Sequence, residues 1–266
     1  MKYAFMTFSC PQWTLDEVLA AAQRYGYDGV ELRVDANHNH GVEVANTAEQ
    51  RAAARRAADA HGVALCCVAT SCKFADPATV AQNVADAQTR IDLAADLGAR
   101  VVRVFGGKIP QDLIRQQAID SVAQALATLA GQAAQRGVYL ALETHDDWCD
   151  PQDVLAVVSR VNHPNVGVNW DYMHTLRVAK TSLDDAFAAL GSSIRHVHFH
   201  DGSLAADKLE FLPIGQGEYD HCRVLALLQS VGYEGYLSGE WINWEPPETH
   251  LPRELQAIKQ IEQAGA

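Results

Sequence analysis

Short apolar runs alternate along the chain with longer stretches in which apolar residues recur every three or four positions, and glycines punctuate the pattern at Gly26, Gly62, Gly98, Gly137, Gly191 and Gly232. The longer stretches begin with helix-start chemistry. Thr14 with Glu17, and Thr47 with Gln50, have the spacing of a capping box, in which two side chains satisfy each other's free backbone N–H groups. Leu15, Val18, Leu19 and Ala22 then share one face of the first helix. Asp76-Pro77 and Asp150-Pro151 pair a capping carboxylate with a proline in the first turn, where a missing N–H costs nothing. Each of the six glycines reads as the residue that stops a helix.

The apolar runs cover residues 2–8, 28–34, 63–69, 100–105, 138–143, 166–171, 194–200 and 235–240. Strands that alternate with helices are joined by right-handed crossovers, so successive strands lie parallel, and closure of eight of them leaves no exposed edge. The pattern predicts an α/β protein, a single (β/α)8 TIM barrel over residues 1–266. An open doubly wound sheet is the competing arrangement, but the first strand-to-helix turn, Ser9-Cys10-Pro11-Gln12, lacks the glycine fingerprint of its dinucleotide-binding form.

Composition narrows the partners. The chain has 266 residues, close to the roughly 250 a barrel needs. A formal net charge of −12 opposes a phosphate backbone, so no nucleic acid is expected. No uncharged apolar run is long enough to span a bilayer and no signal-peptide pattern follows Met1, which predicts a cytoplasmic protein with no membrane partner. The cysteines, Cys10, Cys66, Cys67, Cys72, Cys149 and Cys222, form no CxxC pair and are expected to be reduced thiols.

Strand parity then singles out candidate chemistry, because successive side chains point to opposite faces. Val138, Leu140 and Leu142 face the helices, which turns Glu143 inward; Val166, Val168 and Trp170 do the same for Asp171. Val197 and Phe199 leave His196, His198 and His200 inside, and Leu237 and Gly239 leave Glu240 inside. Four consecutive strands thus bring an acid or an imidazole to the carboxyl end of the barrel, where barrel enzymes do their chemistry. Three carboxylates together raise one another's pKa unless a cation lies between them. One divalent metal ion is therefore expected. Mostly oxygen donors favour Mn2+, Mg2+ or Co2+, although Zn2+ accepts the same set.

Other positions are candidates for substrate contact. Asp171 and His174 form a DxxH pair; Glu31, Arg33 and Arg103 point inward and either meet substrate or pair with one another. Gly215-Gln216-Gly217 lies where some barrels hold phosphate, though short GxG sequences are common in loops. Trp241 either walls the pocket or packs against a partner. Few Lys or Arg fall at pocket positions, which favours an unphosphorylated substrate.

Leu142-Glu143-Thr144-His145, Asp171-Tyr172-Met173-His174, His196-Val197-His198-Phe199-His200-Asp201, Gly215-Gln216-Gly217-Glu218-Tyr219-Asp220 and Gly239-Glu240 together resemble the xylose-isomerase-like barrels. That family includes sugar phosphate isomerases and epimerases, ketose 3-epimerases, hydroxypyruvate isomerases and inosose dehydratases, and the resemblance spans essentially the whole chain. It implies metal ligation by Glu143, Asp171, His198 and Glu240, with Glu143 and Glu240 also exchanging a substrate proton. The implied activity is isomerisation or epimerisation of a small sugar or keto-polyol through a metal-stabilised enediolate; loss of a hydroxyl from the same intermediate would make a dehydratase, a lyase. Expected substrate contacts are His174, Arg33, Glu31, Arg103, His200 and Trp241, and a homodimer or homotetramer is implied by the same analogy. The family often has lysine where His200 stands. Abasic-site endonucleases share the barrel but need extra histidines from the third and fourth strands, which here end in Ala69-Thr70-Ser71-Cys72 and Phe105-Gly106-Gly107.

Overall fold

The computed structural model describes residues 1–205 and 209–265. Strands β1 (Lys2–Met6), β2 (Gly29–Arg33), β3 (Ala64–Lys73), β4 (Val101–Phe105), β5 (Tyr139–Glu143), β6 (Val166–Asp171) and β7 (Ile194–Phe199) run parallel. The short strands β8 (Asp201–Gly202) and β9 (Phe211–Leu212) pair antiparallel outside the barrel. Strand β10 (Tyr236–Gly239) pairs with both β7 and β1 and closes the ring, so the fold is the TIM barrel that the alternation predicts.

Helix starts follow the local code. Thr14 caps α1 (Leu15–Tyr25) and Thr47 caps α2 (Ala48–His61), each in a reciprocal capping box. Asp150 accepts from Gln152 N at 2.9 Å ahead of α5 (Pro151–Val161). Gly26, Gly62, Gly98 and Gly137 end their helices at φ of +85°, +66°, +79° and +69°, where other residues are strained.

Two expected signals work differently. The Asp76 carboxylate closes a turn on Ala78 N at 2.9 Å, so the regular helix, α3 (Val80–Leu97), begins three residues after Pro77. Gly191 follows α7 (Leu183–Leu190) at φ −50°, continuing into a 3-10 turn. It is required by space: a Cβ there would lie 2.9 Å from the Phe187 ring.

Outward strand residues such as Leu32, Val104, Leu142, Val168, Trp170 and Phe199 form one apolar layer with the helices. The inner layer is separate and made of small side chains, Ala4, Cys66, Cys67, Val101 and Ala141. Both adjacent cysteines reach it because the β2–β3 register slips by one residue between Leu65 and Cys67. No helix among the described residues is long and apolar enough to cross a membrane.

At the carboxyl end of β4 the chain leaves no room for a side chain at Gly106, whose added Cβ would lie 2.2 Å from Trp148 Nε1. That indole is fully buried and donates to Gly107 O at 2.8 Å. Gly106→Ala is expected to displace the ring and lower stability by about 1–3 kcal/mol. Thermal denaturation measures this, and an unchanged midpoint would mean that the indole adjusts freely.

Candidate metal centre

Glu143 ends β5, Asp171 ends β6, His198 lies in β7 and Glu240 follows β10. Barrel register sets Asp171 opposite His198, with Glu143 opposite Asn169 on the same rim. One donor atom from each of Glu143, Asp171, His198 and Glu240 lies within 4.8 Å of the others. His198 Nδ1 is 3.0 Å from Glu143 Oε1 and 3.2 Å from Glu240 Oε2. Glu143, Asp171 and His198 are at most 1% exposed, whereas the Glu240 side chain is 12% exposed and opens the cluster to solvent.

The floor beneath this cluster fixes the histidine. His198 Nε2 is 3.1 Å from both Glu31 oxygens, and His196 Nε2 is 2.8 Å from Glu31 Oε2. An ionised carboxylate only accepts, so Glu31 holds a proton on His198 Nε2. In the neutral ring Nδ1 then presents its lone pair toward Glu143 and Glu240, the orientation a metal-binding imidazole needs. Glu31 points inward as parity requires, but it is one pleat deeper than Arg33 and fully buried. Both of its oxygens face His198 and one also faces His196, and it pairs with neither Arg33 nor Arg103.

Charge in this enclosure is unbalanced. Burial, followed by the charges of Glu143 and Glu240, pushes Asp171 up to about 8. Burial opposes ionisation of Glu143, yet Arg103 and His198 outweigh it and hold that carboxyl below its usual range. Burial likewise opposes a charged His198, and Glu31, Glu143 and Glu240 override it to raise the imidazole well above its usual value. Protons on Asp171 and His198 thus do what a cation would do. Among the described residues Glu143 Oε2 and Asp171 Oδ2 have no hydrogen-bond partner, and Arg103 Nε, 3.1 Å from Glu143 Oε2, is not aligned to donate. Two orphaned carboxylate oxygens in an oxygen-rich pocket fit a divalent ion.

Around the cluster, Arg103 is buried, donates to Thr70 O at 2.8 Å and stacks 4.0 Å from the Phe105 ring centre. Arg33 is half-buried and donates to Ser71 Oγ at 2.6 Å and Ala69 O at 3.2 Å. His174 Nε2 is 3.8 Å from Asp171 Oδ2. His200 is buried edge-on against Phe211, and its two ring nitrogens have no hydrogen-bond partner among the described residues. Trp241 turns away from the mouth. It follows inward-facing Glu240, so parity sends it outward, where it is fully buried against Phe199, Trp244 and His250. The Gly215-Gln216-Gly217 loop is also spoken for: Asp201 Oδ2 accepts from Gly215 N at 2.8 Å and Gly217 N at 3.1 Å, filling the position a phosphate would take.

Two neighbours escaped the candidate set although parity reaches them. Asn169, two residues before Asp171, places Nδ2 3.2 Å from both His198 nitrogens. His145 is extended at φ −148°, so it continues the inward row of Glu143, and its ring centre lies 4.4 Å from that of His174. Burial disfavours a charged His145, but the Asp146 carboxylate, 3.2 Å from Nδ1, and the Glu143 charge prevail and raise it to about 9. Burial and charged His145 push His174 down to about 3.

A parallel eight-stranded barrel with a carboxylate–histidine cluster at its carboxyl-terminal mouth defines the class. Residues 19–261 match the xylose isomerase-like TIM barrel family, and the chain belongs to it. It is 32% identical over 173 residues to the 3-dehydroshikimate dehydratase of Pseudomonas putida, covering 61% of this chain and 26% of that one. The chain spans between 26% and 53% of the length of the curated relatives it matches. The probable 3-DHS dehydratase AsbF of Bacillus anthracis superposes with a TM-score of 0.81 at 19% identity, over 97% of this chain and 99% of that one. L-ribulose 3-epimerase superposes with a TM-score of 0.81 at 18% identity, over 100% and 96% of the two chains. At such identities these structures show a common fold.

Asp171 and His198 both hold protons in the metal-free protein that the unfolded chain has released at neutral pH, so their contribution to stability declines as pH rises. For Asp171 the decline runs from about pH 4, its unfolded value, through its folded value of about 8. Asp171→Asn keeps the Oδ1 acceptor for Met173 N and removes this titration. Buried His174 and His200, held neutral, oppose this trend, so the test is the difference: between about pH 5 and 8 chelator-treated Asp171→Asn should gain in melting temperature relative to the parent chain, by a margin that grows with pH. A margin that does not change with pH would assign the proton elsewhere.

Proposed function

We propose that this chain is a metal-dependent isomerase or epimerase acting on a small sugar or keto-polyol, with Glu143, Asp171, His198 and Glu240 holding one divalent ion, Mn2+ by preference. The observation that carries this reading is the convergence of those four donors within 4.8 Å at the mouth of the barrel. A divalent ion held there supplies Lewis-acid polarisation of a substrate carbonyl and its neighbouring hydroxyl.

The protein's own groups handle the proton. Glu143 and Glu240 come from strands separated around the barrel by β6 and β7, yet both reach within 3.2 Å of His198 Nδ1. One carboxylate removes the proton beside the carbonyl and the other returns one to the opposite face or the adjacent carbon. The buried Arg103 beside Glu143 keeps that carboxyl ionised and ready to accept. Charged His145 is placed to donate to a substrate oxygen, and Arg33 and His200 complete the polar contacts.

The dehydratase relatives favour a second reading, in which His145 delivers a proton to a departing hydroxyl. Both readings share proton removal beside a carbonyl. Metal-loaded protein in deuterated water, given ketoses, keto-polyols and 3-dehydroshikimate and followed by NMR, separates them. Deuterium should enter beside the carbonyl only with metal present, and Glu143→Gln should slow exchange by about 10²–10⁴-fold. Retained hydroxyls identify the isomerase or epimerase, whereas loss of a hydroxyl-bearing carbon signal, with aromatic signals appearing from 3-dehydroshikimate, identifies the dehydratase. Finding neither exchange nor dehydration with a protein that binds metal would refute both.

A further inference from the structure

The barrel's other end holds a cavity that the metal centre does not explain. It occupies about 620 Å³ at the amino-terminal ends of the strands, within the range of small-molecule sites. Lys2 opens β1, Arg100 precedes β4 and Arg195 lies at the start of β7, and all three line it. Glu234 is the single carboxylate among the lining residues. None of the three cations forms an ion pair with a described residue, in a chain whose formal net charge is −12.

The cations are held in place by aromatic faces. Arg100 and Arg195 place Cζ 5.8 and 5.5 Å from the centre of the same Tyr139 ring, and Lys2 Nζ is 5.4 Å from that of Tyr236. Arg195 Nη1 is further anchored to Ser192 O at 3.1 Å and Ile194 O at 3.0 Å. Gly167 makes space for it, since a Cβ there would lie 2.6 Å from Arg195 Cγ. Both guanidiniums pack on one ring, and among the described residues no carboxylate lies within ion-pair distance of either, which leaves their positive field locally unbalanced. A low-dielectric cavity wall focuses such a field and favours an anion from solution.

We propose that this amino-terminal cavity is a binding site for a small organic anion bearing a phosphate or carboxylate group, with Arg100 and Arg195 as its principal contacts and Lys2 at its rim. The planar guanidiniums suit either oxyanion, and the tyrosine rings accommodate its carbon body. This site is separate from the metal centre and does not rest on the reading of that centre.

Calorimetric titration of the metal-loaded chain with glycerol 3-phosphate, succinate and, as the uncharged control, glycerol tests the proposal. One saturable site of submillimolar affinity is expected for the phosphate ester or the dicarboxylate, and the arm that binds names the source of the oxyanion. Arg100→Gln and Arg195→Gln should each weaken it at least about tenfold, the effect of losing one charge-assisted contact. Arg56→Gln, which makes the same charge change on the exposed face of α2, should leave affinity unaltered. Melting of the unliganded variants verifies that they fold. No saturation by either anion up to about 10 mM, or equal affinity in the Arg100 and Arg195 variants, would overturn the proposal.

Discussion

Three carboxylates and an imidazole crowd into one largely buried corner of the barrel, and the architecture around them is organised by the cost of that crowding. Left to themselves, Glu143, Asp171 and Glu240 repel, and burial strips them of solvating water. Relief comes from two sources: Arg103 against Glu143, and protons on Asp171 and His198, the latter held in place by Glu31 beneath the ring. The first is a permanent feature of the chain. The protons occupy a role that a divalent ion fills better, because one ion can meet all four donors at once.

The rigid strands make such a cluster possible. Each donor sits at or next to the last residue of a strand, and the strands are fixed on both sides by backbone pairing and on the outside by a continuous apolar layer. Small residues fill the lower interior, and polar groups begin one layer higher with Glu31 and His196. Binding groups can therefore be concentrated at the mouth while stability is carried elsewhere. The same logic makes the uncompensated cations at the amino-terminal end notable, since that end ordinarily serves stability alone.

Much of this was legible in the sequence because it depends on local rules. Capping boxes at Thr14 and Thr47, left-handed glycines after four helices, and parity in β5, β6, β7 and after β10 are each decided within a few residues. What escaped depends on depth or on distant partners. Parity sends Glu31 inward but does not say that it stops one pleat below the mouth. Asp201, fourteen residues away, fills the Gly215–Gly217 loop, and nothing local to that loop announces it. Trp241 was within reach, because alternation after Glu240 already sends it outward. Gly191 is glycine because Phe187 crowds it, a reason that spacing alone does not reveal.

Family membership sets the barrel, and the charged cluster sets what any member with these residues must accommodate. The central claim is that Glu143, Asp171, His198 and Glu240 share one divalent ion. Titration of chelator-treated protein with Mn2+, followed by electron paramagnetic resonance of the free ion, measures this directly. One tight site per chain, lost in His198→Gln and Asp171→Asn, is the predicted result; no tight site, or one that survives both substitutions unchanged, would contradict it.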